Sequence, residues 1–196
     1  MKRIGITMRV EYHSDINERR DALDQRWCQF LRVCNLLPIF LPNEEGSLLH
    51  LDTLHGIILT GGNCLASHGG DAIERDNLEE KLITHAVESH FPLLGVCRGM
   101  QMIQSYFGVQ LKVVPNHVAV YHNINMNDVS LNVNSYHKYG ALDSTNDLMI
   151  DAKSEDGVIE AVSHKEFPIR GIMWHPEREK NFSESDIQLF KNHFQL

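Results

Sequence analysis

A cysteine between two glycines and a histidine followed by proline and glutamate are the residues of this chain best suited to chemistry. Cys97 lies within residues 95–99, directly after the apolar run 91–94 and before a stretch with helical spacing. Such a segment predicts a tight strand-to-helix turn that exposes the thiol as a nucleophile. His175 supplies a base, and Glu177, two residues later, can orient it. These residues predict a Cys-His-Glu triad for acyl transfer.

A Gly-Gly turn upstream offers the backbone donors that acyl transfer also needs. The short apolar run 56–59 ends in Thr60-Gly61-Gly62. We expect the N–H groups of Gly62 and Arg98 to form an oxyanion hole, because glycine lets the backbone approach a substrate closely. A helix that begins just after Cys97 favours the thiolate over the thiol.

Each of these features also has a purely structural interpretation. Free cysteines are often small core residues, and Gly61-Gly62 can be an ordinary tight turn. The glycines that flank Cys97, and the position of His175 at the end of an apolar run, favour the catalytic interpretation.

Histidines elsewhere raise the question of a metal. His122, His137 and His164 show neither the i, i+4 spacing nor the Cys/His ligand set that is typical of zinc sites. We therefore predict no metal and no cofactor.

The elements that must position these residues alternate between strand and helix. Helical spacing covers residues 19–37, 77–89, 98–108 and 185–194, and strand patterns cover 4–8, 39–41, 56–59, 91–96 and 169–174. This order predicts an α/β fold with a mostly parallel central sheet and helices on both faces. Cys97, His175 and the Gly61-Gly62 turn follow strands, and the carboxyl ends of parallel strands form one crevice.

The second half of the chain shows shorter strands. These segments, which predict a small antiparallel extension of the sheet, are 111–114, 129–133, 148–152 and 158–162.

Composition indicates one enzyme domain over residues 1–196. The chain is 42% hydrophobic, enough for a full core, and its 26 acidic against 18 basic residues give a net charge of −8. That charge argues against nucleic acid or an anionic membrane as a partner. Four cysteines without a CxxC pair, and no apolar stretch of membrane-spanning or signal-peptide type, predict a reduced, cytoplasmic protein.

Three motifs resemble those of class I glutamine amidotransferase-like proteins. Residues 94–101 resemble the nucleophile elbow, residues 59–62 the oxyanion strand and residues 174–177 the His-Glu motif. The resemblance extends over nearly the whole chain and implies a flavodoxin-like sheet. Within that superfamily, Arg98 and the segments 133–137 and 154–161 look most like the stand-alone γ-glutamyl hydrolases of the peptidase C26 type.

The resemblance implies hydrolysis of a γ-glutamyl amide through a γ-glutamyl thioester on Cys97, with release of glutamate. It also implies that Gln101 helps to bind the glutamyl moiety, although a solvated helix residue is the structural alternative. Tyr136 and His137 are expected to face the crevice, and Arg75 resembles part of a family segment.

The chain is similar, in particular, to short acidic hydrolases of bacterial capsule phosphoramidate synthesis. That similarity implies γ-glutamyl-CDP-amidate as the substrate and cytidine diphosphoramidate as the product. Residues 63–76 are expected to set leaving-group specificity, and Arg75, Arg98 and Lys138 are candidates to meet the phosphates.

Three classes of function remain open from the sequence. The first is a free-standing γ-glutamyl hydrolase that acts on a small molecule. The second is a glutaminase subunit that supplies ammonia to a partner synthetase. The third is a binding module that has kept the fold without catalysis, which the intact Cys97, His175 and Glu177 disfavour.

Overall fold

The centre of the protein is a nine-stranded sheet, seen in a computed structural model that describes residues 1–195. Two short two-stranded sheets accompany it. The strands are β1 (Lys2–Thr7), β2 (Arg9–His13), β3 (Glu18–Ala22), β4 (Leu36–Leu41), β5 (Gly56–Leu59), β6 (Leu93–Val96), β7 (Lys112–Val113), β8 (Val118–Met126), β9 (Val129–Tyr136), β10 (Tyr139–Gly140), β11 (Leu148–Ser154), β12 (Ile159–His164) and β13 (Ile169–Ile172). The helices are α1 (Arg26–Val33), α2 (Ile73–Ser89), α3 (Arg98–Tyr106) and α4 (Glu184–His193), with 3₁₀ segments at Glu45–Thr53, Ala66–His68 and Pro176–Arg178.

The large sheet is parallel in one half and antiparallel in the other. Its strand order is β4-β1-β5-β6-β13-β12-β11-β8-β9. The first five strands pair in parallel, and every pairing from β13 to β9 is antiparallel. The predicted α/β class, with a mostly parallel core and an antiparallel extension, is confirmed.

Helices cover both faces of the parallel half because each carries one apolar stripe. On one face α1 and α4 bury Trp27, Phe30 and Phe190 against the sheet. On the other face α2 and α3 bury Leu82 and Ile103. Short all-apolar strands such as β5 and β6 are buried on both sides, as parallel strands between helix layers must be.

Three of the predicted elements are corrected by the structure. The single helix expected over residues 19–37 is a strand, a shorter helix (α1) and a further strand. Residues 18–21 are all charged and pair with β2 in a hairpin, so helical spacing of apolar residues begins only at Leu23. Pro38 lies within β4, which tolerates it because β4 is an edge strand. Strand β7 pairs with β10 instead of joining the large sheet.

Other boundaries shift, and besides β3 the strands β2, β8 and β10 were not predicted. Helix α2 begins at Ile73, four positions before the predicted start at Asn77. Strand β8 was not predicted, and most of its side chains are exposed, so no regular burial marks it. No helix among the described residues is both long and apolar enough to cross a membrane.

Candidate active site

Cys97 lies on a strained turn between β6 and α3. Its backbone has φ 53° and ψ −105°, a conformation that residues with a side chain rarely adopt. The turn is held because the N–H of Cys97 donates to the carbonyl of Ile172 on the neighbouring strand β13, 2.8 Å away. Gly99 lets α3 approach β5, since a Cβ there would lie 2.2 Å from the carbonyl oxygen of Leu59. The predicted elbow geometry is therefore present.

His175 follows β13 and is held in a fixed orientation. Its Nδ1 lies 2.7 Å from Oε1 of Glu177, so the carboxylate selects the tautomer of the ring. The Asn134 side chain bonds both backbone groups of His175: its Oδ1 accepts from the N–H and its Nδ2 donates to the carbonyl, each at 2.9 Å. Gly61 leaves room for the ring, because a Cβ there would lie 2.6 Å from Cε1.

The free ring nitrogen of His175 is directed at the cysteine. Nε2 is buried and makes no well-formed hydrogen bond, a looseness that is common in substrate-free sites. Burial opposes the charged imidazolium, but the attraction of Cys97 and then of Glu177 outweighs it and raises the pKa of His175 to about 9. The site thus favours an imidazolium beside the sulfur, which is the partner that a thiolate needs.

Arg75 fixes the Gly61-Gly62 turn from behind. Its guanidinium donates to the carbonyls of Thr60 (2.6 Å), Gly61 (3.2 Å) and Gly62 (2.7 Å). In a trans peptide the N–H points opposite to the carbonyl. The N–H of Gly62 is consequently turned away from Arg75. The N–H of Arg98 is the first of α3 and has no acceptor within the helix.

A buried ionic network lies beneath these two backbone segments. Glu79 receives hydrogen bonds from Arg75 (Nε to Oε1, 2.9 Å), from Thr7 (2.8 Å) and from Arg98, which also bonds Asp76. Arg75 and Glu79 are fully buried. Burial alone raises the pKa of Glu79, but Arg98 and Arg75 reverse this and hold it below the ordinary value. The carboxylate therefore stays charged between two guanidinium groups.

The sequence made Arg75 and Arg98 candidates to bind the phosphates of a leaving group, but both belong to this buried network. Both side chains are buried, and their guanidinium groups bond backbone carbonyls or carboxylates. In this structure neither is available to a phosphate, and Arg75 acts on the turn instead. Lys138 is exposed and lies over the ring of Tyr139.

The remaining predicted residues occupy different places. Gln101, one turn after Cys97 on α3, is buried and donates through Nε2 to the carbonyl of Tyr139, 2.9 Å away. Tyr136 is half exposed and meets the ring of His175 edge-on, with 5.7 Å between the ring centroids. His137 is buried and points away from the crevice, toward His117 and Glu160. The expectation that His137 faces the substrate does not agree with this placement.

Two arginines border the crevice beside His175. This crevice is small, about 40 Å³, and Arg9, His175, Glu177 and Arg178 are among its lining residues. Arg9 lies over Gly62, with its Nε 3.2 Å from the position that a Cβ would take there. The Arg178 guanidinium stacks on the ring of Tyr136 at 4.5 Å. A much larger cavity, about 570 Å³, lies between the first 3₁₀ segment and α2, but its lining includes none of the predicted site residues.

Sequence reasoning missed the roles of Asn134, Glu79 and Arg9. Asn134 lies within the motif that carried the family resemblance, but only the structure pairs it with His175. Glu79 follows Arg75 at i, i+4 spacing, the signal that could have indicated a pair on one helix face. No pattern in the sequence brings Arg9 to the Gly62 turn.

Comparisons with known proteins agree with this geometry. The family profile described as "Glutamine amidotransferase class-I" matches residues 20–195. The chain is 32% identical, over 98% of both chains, to a γ-glutamyl-CDP-amidate hydrolase of Campylobacter jejuni. It is also 32% identical to a γ-glutamyl-γ-aminobutyrate hydrolase of Escherichia coli O157:H7, over 89% of this chain and 85% of that protein.

A solved structure supports the fold independently of close sequence similarity. A glutamine amidotransferase from Thermotoga maritima superimposes with a TM-score of 0.70 at 17% identity, and the match covers 99% of this chain and 84% of that one. The resemblance stated from the sequence motifs is confirmed. The chain belongs to the class-I glutamine amidotransferase family.

Proposed function

We propose that this protein is a stand-alone cysteine hydrolase that cleaves γ-glutamyl amides and releases glutamate. The observation that carries the proposal is the position of His175, which lies between Glu177 and Cys97 at the ends of neighbouring strands. Relatives that are about a third identical over most of the chain are named γ-glutamyl hydrolases, which supports the same reaction.

The reaction begins with attack by the Cys97 thiolate on the γ-carbonyl carbon. The negative charge that develops on the carbonyl oxygen is stabilised by the N–H groups of Gly62 and Arg98. Nε2–H of His175 then protonates the departing nitrogen, the C–N bond breaks, and a γ-glutamyl thioester remains on Cys97.

Hydrolysis of the thioester restores the enzyme. His175, now neutral at Nε2, takes a proton from water as the water attacks the thioester carbonyl. Cys97 leaves as the thiolate, glutamate is released, and Glu177 keeps the ring in one tautomer throughout. Gln101 and Tyr136 border the glutamyl moiety in this proposal.

For the leaving group we propose a nucleoside diphosphate amidate, namely γ-glutamyl-CDP-amidate, with cytidine diphosphoramidate as the product for capsule modification. The name of the Campylobacter jejuni relative supports this choice. Arg9 and Arg178 line the crevice beside His175, and their partly exposed guanidinium groups suit a diphosphate.

The test is glutamate release by the purified chain alone. Glutamine, γ-glutamyl-γ-aminobutyrate and γ-glutamyl-CDP-amidate are compared, with Cys97→Ala as the inactive variant and Cys28→Ala, a half-buried free cysteine on α1, as the matched control. We expect release that requires Cys97 and is fastest with the nucleotide substrate. Release from none of the three substrates would contradict the proposal and would favour a glutaminase that needs a partner synthetase.

A second comparison tests the two arginines. Arg178→Met and Arg9→Met should raise KM for the nucleotide substrate and leave KM for γ-glutamyl-γ-aminobutyrate nearly unchanged. Arg20→Met, an exposed arginine of the β2-β3 hairpin, is the control. Equal effects on both substrates would rule out a contact with the diphosphate.

A further inference from the structure

A buried cluster in the antiparallel half brings three possible metal ligands together. His117 precedes β8, His137 follows β9, and Glu160 lies on β12, and all three are at most 2% exposed. Nδ1 of His117 lies 3.2 Å from Nε2 of His137 and 3.2 Å from Oε1 of Glu160. The distance between Nε2 of His137 and Oε1 of Glu160 is 3.4 Å.

These three distances match one face of a tetrahedral metal site. Zinc bonds to histidine nitrogen and carboxylate oxygen are about 2.0–2.1 Å, so neighbouring ligand atoms in a tetrahedron are about 3.4 Å apart. A triangle with edges of 3.2, 3.2 and 3.4 Å fits a single ion that sits just above its plane.

The hydrogen-bond partners of the outer ring nitrogens, Nδ1 of His137 and Nε2 of His117, show which nitrogen of each ring carries the proton. Nδ1 of His137 lies 3.0 Å from the carbonyl of Tyr139, and a carbonyl can only accept, so this nitrogen carries the proton. Nε2 of His117 lies 2.9 Å from Oδ2 of Asp156, which accepts in the same way. In the neutral rings of His117 and His137, each inner nitrogen therefore carries a lone pair and no proton. Both of these nitrogens face a carboxylate oxygen of Glu160.

Three acceptors that converge in a buried space need a cation. Both oxygens of Glu160 are buried and lack a well-formed hydrogen bond, as does Nε2 of His122, which lies 3.7 Å from Oε2 of Glu160. Burying such groups without a partner is unfavourable, and more so for a charged group. Either a metal ion or an extra proton on His117 would satisfy them.

We propose that His117, His137 and Glu160 bind a divalent transition-metal ion, Zn²⁺ in the first place. The two nitrogens and one oxygen suit zinc, and Asp156 and the Tyr139 carbonyl are the outer partners that metal-bound histidines commonly have. Nε2 of His122 lies 3.7 Å from the second oxygen of Glu160. A water molecule would complete the coordination.

The site is structural and stands apart from the proposed reaction. It joins the start of β8, the end of β9 and strand β12, three segments that are distant in sequence. Tyr139 connects it to the candidate active site, because the same carbonyl also accepts the hydrogen bond of Gln101. The sequence spacing gave no sign of this cluster, since each ligand comes from a different segment.

The experiment measures metal binding directly and without an activity assay. The full chain is stripped with a chelator and titrated with Zn²⁺ against a chromophoric competitor, and with Co²⁺, whose visible absorption is strong only in tetrahedral sites. We expect one ion per chain, a tetrahedral Co²⁺ spectrum and a higher Tm with Zn²⁺. Asp156→Asn should weaken binding by about 10–100-fold, as loss of an outer partner does.

Variants locate the site. Glu160→Gln should abolish the tetrahedral Co²⁺ spectrum, whereas His164→Gln, a buried histidine on the same strand, should preserve it. The titration of the unmodified chain stands even if a variant fails to fold. Absence of stoichiometric uptake by the unmodified chain, or an unchanged Co²⁺ spectrum in folded Glu160→Gln, would overturn the proposal. In the first case a doubly protonated His117 ring is the expected finding by NMR.

Discussion

The parallel and antiparallel halves of the sheet solve the problem of buried charge in different ways. In the parallel half, Glu79 is paired with two arginines, and Arg75 also donates hydrogen bonds to backbone carbonyls. In the antiparallel half, Glu160 faces the unprotonated nitrogens of two histidines, whose ring protons lie on the opposite nitrogens. The buried charge of the parallel half is therefore neutralised by arginine side chains of the protein, whereas the buried charge of the antiparallel half needs a bound cation.

Asn134 connects the two halves. It belongs to β9 at the far edge of the antiparallel half, yet its side chain holds the backbone of His175 at the end of the parallel strand β13. Substitutions at different positions can therefore test the two halves separately.

The largest effect is expected at Cys97. Cys97→Ala should lower kcat for glutamate release by at least about 10⁴-fold, because loss of the nucleophile removes the covalent route. Zn²⁺ binding should change little, since the chemistry belongs to the parallel half. Glutamate assays and zinc titration of the same preparation check this. A loss of zinc binding would show that the halves are not independent.

Glu79 should matter most for stability. Glu79→Gln leaves Arg75 and Arg98 buried without their shared counter-charge, and breaking a buried pair costs about 3–5 kcal/mol. Urea unfolding measures the difference. Glu80→Gln, an exposed neighbour on α2, should change the free energy of unfolding by less than about 0.5 kcal/mol. A cost for Glu79→Gln below about 1 kcal/mol would mean that the parallel half is not neutralised as described.

Asn134→Ala tests the connection between the halves. The variant leaves the N–H and carbonyl of His175 without their partners, which should cost about 1–3 kcal/mol of stability. We expect kcat to fall more than KM rises, because the variant misplaces His175 and leaves the glutamyl contacts in place. Asn132→Ala, an exposed asparagine on the same strand, is the matched control. Equal behaviour of the two variants would refute the positioning role.

A pH-dependent effect concerns the proton on His175. Its folded pKa of about 9 lies above the ordinary 6.5, so the folded protein holds this proton more tightly than the unfolded chain. The resulting stabilisation is complete below pH 6.5 and disappears as the pH rises through about 9.

An NMR titration of His175 checks the value directly. Glu177→Gln should lower the pKa of the ring, because the carboxylate is one of the groups that raise it. In this variant, the stabilisation that comes from the proton on His175 should then disappear at a lower pH than in the unmodified chain. A pKa that does not move would show that Cys97 alone holds the proton.

The sequence predicted the parallel half far better than the antiparallel half. Short apolar strands such as β5 and β6 are buried on both sides, and their pattern is unmistakable. In addition, the glycines around Cys97 and the His-Pro-Glu run are local features of the sequence. The α/β class and the place of the nucleophile could therefore be predicted from single segments.

Contacts between distant segments could not be predicted in the same way. His117, His137 and Glu160 meet only because β8, β9 and β12 belong to one antiparallel half-sheet, and most side chains of β8 are exposed. Arg75 was assigned to the leaving group because charge alone does not reveal burial. Its hydrogen bonds to the carbonyls of residues 60–62 depend on the packing of α2 behind that turn.

The backbone of Cys97 holds the proposed nucleophile in a conformation that costs stability. A residue with φ 53° and ψ −105° carries a strain of about 1–3 kcal/mol, whereas glycine adopts such angles freely. A glycine at position 97 would relieve this strain, but the thiol and its attraction for the imidazolium of His175 would be lost. The strain is therefore what the fold tolerates in order to present a thiol at this turn.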